Sequence, residues 1–496
     1  MNILRELPIL CVVNLDYSGI SSDFTTTCTA GGGIPHLRWD HCDKTDYYNN
    51  TFTQLSPILG RVNTLNEVIR GMDRDRVCGE IDAICESVIG ALSACATICV
   101  PSVHKSTLKF WWDEDHDALK RDAIETHLIW QLAGKPRSGE VFKRRLCARA
   151  NYRRRIRDGK RLETQAYTND LHESLMVKNN TMFWKCFNSK FGKASQVAMV
   201  DGVSDPEQVL GKFYSYFSDL AKPSCSAQAY DLAGLYDKKR VSYEGDFFDD
   251  YQSIDTSCVE SAIKSFTLGR ACGLDGLSPE HLLFSHPIVY NVLAKLFSSM
   301  LFVGYVPSSF LASYTVPIPK VSGGGLGSYS CNDFRGIAIS SLLSKLFEKC
   351  LIEIFGSYFE VSENQFGFKR GFGCSHAINS VKRVVDFYVE GNGTACLSAI
   401  DIRKAYDSVD HTGLFIQLMN RRVPACLLRL LEAWLPKCST CVKWACKFSA
   451  FFRLGVGVRQ GSSLAPVLFS IYVNDVIAND KVSSLGFLFA FADDTY

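Results

Sequence analysis

Gly486-Phe-Leu-Phe-Ala-Phe-Ala-Asp493-Asp494 carries an unbroken apolar run into two adjacent carboxylates. A short apolar run bounded by turn signals predicts a buried strand, here with its acids at the end, where the chain turns. Cys396-Leu-Ser-Ala-Ile-Asp401-Ile-Arg-Lys-Ala-Tyr406-Asp407 repeats the arrangement earlier in the chain, with Asp401 closing the apolar stretch. Two such strands can pair side by side, and their acids would then converge in one cleft. Converging carboxylates repel, so they stay ionised cheaply only with cations between them. Magnesium suits an all-oxygen ligand set and leaves positions open for phosphates. Two such ions, about 3.5–4 Å apart, would activate a primer 3′-hydroxyl and stabilise a leaving pyrophosphate. The chemistry expected of the cleft is nucleotidyl transfer.

An Asp-Asp pair behind apolar residues is, by itself, more often a solvated turn. Phe247-Phe248-Asp249-Asp250-Tyr251 is such a copy: Glu244 and Asp246 precede it, no long apolar strand leads in, and it reads as surface. The Asp493 copy differs in its company. Val-Arg459-Gln460-Gly461-Ser-Ser-Leu-Ala-Pro466 is a glycine turn opening an apolar helix over Leu464 to Ile477, with Pro466 in the first turn, where its missing N–H is harmless. Other strand candidates are Tyr314 to Ile318 and Phe451 to Val458, so helices alternating with short β-rich runs predict an α+β domain.

With these pieces in place the chain resembles a reverse transcriptase, most closely of the non-LTR (LINE-type) retrotransposon branch. The resemblance is carried, in the family's order, by Gly273-Leu-Asp275-Gly-Leu-Ser-Pro-Glu-His-Leu, Val316-Pro-Ile-Pro-Lys320, Asn332-Asp-Phe-Arg335-Gly-Ile-Ala-Ile and Asn364-Gln365-Phe-Gly367-Phe-Lys-Arg-Gly371. The segments around Asp401, Gln460-Gly461 and Asp493-Asp494 complete it. It implies right-hand polymerase fingers and palm behind a mostly helical N-terminal region. Asp401, Asp493 and Asp494 resemble catalytic metal ligands, with the carbonyl of Ile402 a further contact. The implied cofactor is two Mg2+ ions, or Mn2+ in their place. Lys320 and Arg335 resemble the residues that grip the incoming triphosphate, and Gln460 and Gly461 the turn bordering nucleotide and template. Tyr406 matches an aromatic plate beneath the sugar, which would clash with a 2′-hydroxyl. Implied partners are an RNA template, a DNA primer or nicked target DNA, and deoxynucleoside triphosphates, in target-primed reverse transcription.

Departures from the family pattern are few. Gly336 follows Arg335 where proline is frequent, which suggests a looser loop. Phe491 is the usual residue of this branch before Ala-Asp-Asp. The chain stops almost at once after the aspartates, so the rest of the palm and the thumb are expected to be missing, and little processive synthesis is expected from this chain alone. Residues 1 to about 55 resemble an endonuclease tail, with Ser22-Asp23-Phe24 where Ser-Asp-His is usual. The expected division is 1–60 endonuclease remnant, 61–240 helical linker and 241–496 fingers and palm.

The 496 residues are 47% hydrophobic and 21% charged, enough apolar content for a large core. The net charge of +2 conceals an asymmetry, because Lys135 to Arg161 holds 12 Lys or Arg against two acids, Glu140 and Asp158. Such a run could displace counterions from nucleic acid, and RNA-binding candidates are Lys143, Arg144, Arg145, Arg149, Arg153, Arg154, Arg155 and Arg157, with Tyr152 able to stack on a base. A merely solvated face or an import signal are the alternatives. Apolar residues at helical spacing run through Val88, Ile89 and Leu92 and through Ile124, Leu128 and Leu132, with tryptophans 111, 112, 130 and 184 pinning the helices.

Twenty scattered cysteines read as reduced thiols, Cys438 and Cys441 included. Ser87 to Val100 is too short an apolar run to span a bilayer. An intracellular protein, nuclear and cytoplasmic and without membrane, is expected. The rival readings are a group II intron reverse transcriptase and a non-catalytic RNA-binding relic.

Overall fold

The structure, a computed structural model, describes residues 36–37, 39, 42–103, 114–176, 199–223, 227–249, 254–320, 328–369, 371–402, 404–477 and 487–495, without the side chains of 36, 102, 103, 114, 160, 162–176, 228 and 328. The Ser22-Asp23-Phe24 reading and tryptophans 111, 112 and 184 lie outside these residues.

Asp43 opens helix α1 (Lys44–Val68), its carboxylate accepting the N–H groups of Thr45 at 2.8 Å and Asp46 at 3.4 Å. The helix crosses residue 60, so that expected boundary is not a break in the chain's structure. Leu55, Ile58, Val62 and Leu65 recur at helical spacing and are buried against α2 (Arg74–Cys99), which contributes Val77, Ile81, Ile84, Val88 and Leu92. The run from Ser87 to Val100 is thus the end of a 26-residue helix. By length and composition this helix could cross a membrane, which corrects the expectation drawn from the shorter run; 44% of its apolar window is buried inside the protein.

α3 (Glu114–Leu132) and α4 (Glu140–Met176) form a hairpin. Its expected apolar stripe does not enter a core, since Ile124 and Leu128 are each 52% exposed and Leu132 is 88% exposed. The described hairpin is two helices thick, so a helix face turned from its partner meets no further layer.

α5 (Pro206–Leu220) begins at Asp205, which caps the N–H groups of Glu207 and Gln208, and α6 (Ala227–Val241) follows. Both belong with the later part of the chain. Phe213 of α5 is fully buried against Phe334 and Trp444, and Tyr236 and Arg240 of α6 bond to Glu432. The acidic stretch after residue 241 docks by its Asp246–Arg422 ion pair; of the second Asp-Asp copy, Phe247 and Asp249 are exposed, Phe248 packs on Phe355, and Asp250 and Tyr251 lie outside the described residues. One apolar cluster runs from Leu55 to Ile471 and crosses both expected boundaries.

At its centre lies α7 (Ile288–Val303), almost entirely apolar. It leads to β1 (Ala312–Pro319) and β2 (Phe334–Ser340), which pair antiparallel with Ile318 opposite Arg335. α8 (Leu342–Ile354), the amphipathic α9 (Cys374–Glu390) and β3 (Ile400–Asp401) come next. α10 (His411–Asn420), α11 (Ala425–Trp434), β4 (Ser439–Trp444) and β5 (Phe452–Arg453) precede α12 (Ala465–Ile477). β6 (Ala490–Phe491) and β7 (Asp494–Thr495) close the described chain. The main sheet runs β5-β4-β1-β2, with β4 parallel to β1. That parallel pairing ends at Thr315 and Val442, so Pro317 and Pro319 lie beyond it, where a missing N–H removes no bond on that side.

Gly336 is a correction to the looser loop expected there. It lies within β2, opposite Pro317, and a Cβ on it would come within 2.7 Å of the Phe217 ring. The small sheet is β6-β7-β3. The strands expected over Cys396 to Ile402, Phe451 to Val458 and Gly486 to Ala492 are each shortened to two residues, because a strand lasts only as far as its hydrogen-bonding partner.

The Gly273-Leu-Asp275-Gly turn anchors α8. Asp275 accepts the N–H of Leu342 at 3.1 Å and of Leu277 at 3.3 Å, and burial pushes its carboxyl up to about 6. The folded state therefore holds this proton more tightly than the unfolded chain, so its contribution to stability is complete below about pH 4 and is lost as pH rises through 6. Asp275→Asn is expected to remove this component, roughly 3 kcal/mol at about 1.4 kcal/mol per tenfold change in proton affinity. The measurement is the wild-type-minus-variant difference in unfolding free energy from pH 4 to 7, which should decline across that window; a flat difference would count against the assignment.

Candidate active site

Asp494 opens β7 directly opposite Asp401 of β3, and Thr495 lies opposite Ile400. Opposed residues of an antiparallel pair share a face, with Cβ atoms about 4.5–5.5 Å apart. Asp493 sits one residue earlier, in the turn after Ala492, whose φ is +60°, and its carbonyl accepts the Ile402 N–H at 3.3 Å. The two apolar strands do not pair side by side as expected, since β7 lies between β6 and β3. It is the strand after the aspartates, not the one before, that meets Asp401.

Asp401, Ile402 and Asp493 line a cleft of about 630 Å³ together with Lys320, Arg335, Tyr406, Gln460 and Gly461. All of these were singled out from sequence; Asp494, also singled out, is exposed and is absent from the lining. Asp494 lies in β7 and Asp493 in the turn before it, so the two do not meet Asp401 in the same way. Among the described residues no three His, Cys, Asp or Glu side chains are grouped closely enough to hold a metal ion. Asp401 thus stands opposite Asp494 in register and lines the cleft with Asp493. The oxygen donors of Asp401, Asp493 and the Ile402 carbonyl fit a hard divalent cation in kind, without forming a closed three-carboxylate cage.

The turn bearing Asp493 is braced by Asn364-Gln365-Phe-Gly367. Ala490 N–H donates to the Asn364 carbonyl at 2.9 Å and Phe366 N–H to the Ala490 carbonyl at 2.8 Å. Gln365 is fully buried, and its Oε1 accepts from Gly367 N–H at 3.0 Å and Ala492 N–H at 3.2 Å. A Cβ on Gly367 would lie 2.2 Å from the Ala492 nitrogen, so glycine is needed for this approach.

Tyr406 stacks on Phe469 of α12 with ring centroids 5.1 Å apart and planes 17° from parallel. Burial, with Asp493 adding to it, pushes its phenol well above the ordinary value. Gly461 has a φ of +119°, and a Cβ there would lie 2.3 Å from the Ala338 carbonyl oxygen; beside it the Gln460 carbonyl accepts the Ala338 N–H at 2.6 Å. The turn is therefore riveted to β2. Lys320 and Arg335 are exposed on the cleft at the ends of β1 and β2.

Three kinds of cleft residue escaped the sequence reading. Asp407, beside Tyr406 in a quoted motif, has its carboxyl raised by burial against the opposing pull of Lys404 and Lys320. Lys404, at φ +54°, places its ammonium 4.9 Å from the centre of the Tyr216 ring. Tyr216 and Phe217 come from α5.

In the basic hairpin Lys143, Arg144, Arg149, Arg153, Arg154 and Arg157 are exposed or partly so, and Tyr152 is half-buried. Arg145 and Arg155 are engaged with α3: Arg145 lies 3.7 Å over the Trp130 ring and donates to His127 Nδ1 at 3.1 Å, and Arg155 pairs with Asp115 at 3.5 Å. Trp130 thus does pin two helices together. Cys438 and Cys441 are buried thiols, and Cys446 is an exposed one.

Residues 318–496 match the family model described as reverse transcriptase (RNA-dependent DNA polymerase). Over 245 residues the chain is 26% identical to the RNA-directed DNA polymerase from mobile element jockey of Drosophila melanogaster, covering 48% of this chain and 26% of that protein. It is 28% identical over 221 residues to the jockey polymerase of Drosophila funebris, covering 43% and 24%. It is 24% identical over 211 residues to the Pol polyprotein of type-2 retrotransposable element R2DM of Drosophila melanogaster, covering 42% and 19%. The chain spans about a quarter or less of the length of these relatives. Among solved structures, apo telomerase from Candida tropicalis truncated from its C-terminal domain aligns at 11% identity and a TM-score of 0.28, over 66% of this chain and 78% of that one. Residues 318–496 thus resemble a reverse transcriptase domain, and the relatives named above are polymerases of non-LTR elements.

Gly461→Ala is expected to destabilise the fold by roughly 1–3 kcal/mol, since the added methyl meets backbone at a φ that L-residues avoid. Gly211→Ala, on an exposed position of α5 with open space around it, should instead stabilise by about 0.5–1 kcal/mol. Thermal unfolding of the two variants should move in opposite directions.

Proposed function

We propose that this chain acts as an RNA-directed DNA polymerase of a non-LTR retrotransposon, extending a primer 3′-hydroxyl on an RNA template. The supporting observation is that residues from five separate stretches, Lys320, Arg335, Asp401 with Tyr406, Gln460 with Gly461, and Asp493, line one cleft. Asp401 and Asp493, with the Ile402 carbonyl and with Asp494 beside Asp401, would hold Mg2+, or Mn2+. Two bound divalent ions would lower the pKa of the attacking hydroxyl and neutralise charge on the leaving pyrophosphate.

The protein's own residues supply the rest. Lys320 and Arg335 present cationic donors to the triphosphate from adjacent strand ends, and Arg335 can engage two phosphate oxygens at once. Tyr406, held by its stack on Phe469, forms a flat floor under the sugar, and a 2′-hydroxyl would press on it. Gln460 and Gly461 bring backbone close to the nascent base pair. The exposed cations of α4 would grip the RNA through its phosphates. In the cell the primer would be the 3′ end of nicked target DNA. The same α4 surface, taken with the incomplete grouping of acids, favours the second reading, a non-catalytic RNA-binding protein.

Primer extension on homopolymer RNA with an oligodeoxynucleotide primer separates the two. Asp401→Ala and Asp493→Ala are each expected to lower the rate by more than about a hundredfold. Wild type and both variants giving the same trace would sink the polymerase assignment. Tyr406→Ala should leave deoxynucleotide addition measurable and raise ribonucleotide incorporation by about tenfold or more, read as the ratio of kcat/KM for the two sugars.

A further inference from the structure

Glu348 lies on α8, outside the cleft, and its side chain is 1% exposed. Its Oε2 accepts from Ser462 Oγ–H at 2.8 Å, from Ser463 N–H at 2.5 Å and from Leu464 N–H at 3.2 Å. Its Oε1 accepts from Ser344 Oγ–H at 3.4 Å and faces Arg459 Nη2 at 3.8 Å. Arg459 is itself buried and donates to the Phe310 carbonyl at 3.1 Å. One carboxylate therefore holds the residues on both sides of Gln460-Gly461, Arg459 before and Ser462 to Leu464 after, and it sits at the N-terminal end of α12, where a negative charge is favoured. The turn is also attached to β2 by the Gln460–Ala338 hydrogen bond.

We infer that Glu348 is a positioning residue for the nucleotide cleft: it clamps the 459–464 segment so that the Gln460-Gly461 turn keeps the shape that borders the incoming nucleotide. The inference rests on the polymerase reading for its consequence, but not for the clamp itself. A carboxylate suits the task because all of the groups named around it are donors. An amide in its place must turn an N–H toward donors on one side, taking away either the acceptor of the turn or the counter-charge of Arg459.

The test compares Glu348→Gln and the milder Ser462→Ala with Phe347→Leu, a neighbouring core change that loosens packing on Phe297, Phe310 and Trp434 and leaves the hydrogen bonds of the Glu348 carboxylate in place. Amide hydrogen exchange at Ser463 and Leu464 should speed up about tenfold or more in Glu348→Gln, with the interior of β2 unchanged. The Kd for a deoxynucleoside triphosphate on a dideoxy-terminated primer–template should rise about tenfold in Glu348→Gln and by a smaller factor in Ser462→Ala. Phe347→Leu, whatever its loss of Tm, should stay within about twofold of wild type. Unchanged exchange at residues 463 and 464 overturns the clamp, and so does a Kd that Phe347→Leu raises as much as Glu348→Gln does. If the wild-type chain binds no deoxynucleotide at all, the polymerase reading fails, and the exchange measurement still decides whether Glu348 holds the turn.

Discussion

The register of one short antiparallel pair, Asp494 against Asp401 and Thr495 against Ile400, is the constraint around which the cleft is organised. Side chains in a strand alternate with a period of two, so a slip of one residue would send the Asp494 carboxylate to the opposite face. So short a ladder cannot secure its own register, and the protein does so from outside. Gln365 and Gly367 grip the turn before the pair, the Asn364 carbonyl and Phe366 N–H extend the sheet past β6, and the Ile402 N–H reaches the Asp493 carbonyl.

The opposite wall is held by charge. Asp275, Glu348, Lys345 and Arg459 form a buried polar group behind β2, where burial raises the Asp275 carboxyl and lowers the Lys345 ammonium. Apolar side chains of the same volume could fill this space at no loss of stability, because desolvating ions offsets much of their attraction. Directed hydrogen bonds are what these groups add. The backbone of 463–464 and of 342 has N–H groups that need acceptors, and only a polar side chain fixes where each must lie.

The molecule thus combines two mechanical regimes. The cleft is built on one apolar core shared by α1, α2, α7, α8, α10, α11 and α12, whose side chains are almost entirely withdrawn from water. The α3–α4 hairpin has a thin interface, exposed leucines and isoleucines, and a cationic surface. Reacting groups require the first regime, since rate falls steeply with small misplacement. Phosphate contacts made by long flexible side chains do not require it.

Sequence by itself determined which groups line the cleft. Asp401, Asp493, Lys320, Arg335, Tyr406, Gln460 and Gly461 sit in short local motifs, where strand, turn and helix signals are set by near neighbours. It also revealed that Gly461 opens a helix and that β1 is a strand. Only the tertiary structure decided which strand meets Asp401, placed Gly336 inside a strand under Phe217, engaged Arg145 and Arg155 with α3, and brought Glu348 to the turn. Each of these is a contact between residues far apart in the chain. Local periodicity records which face of an element is apolar, but it carries no information about what that face or a buried carboxylate will meet.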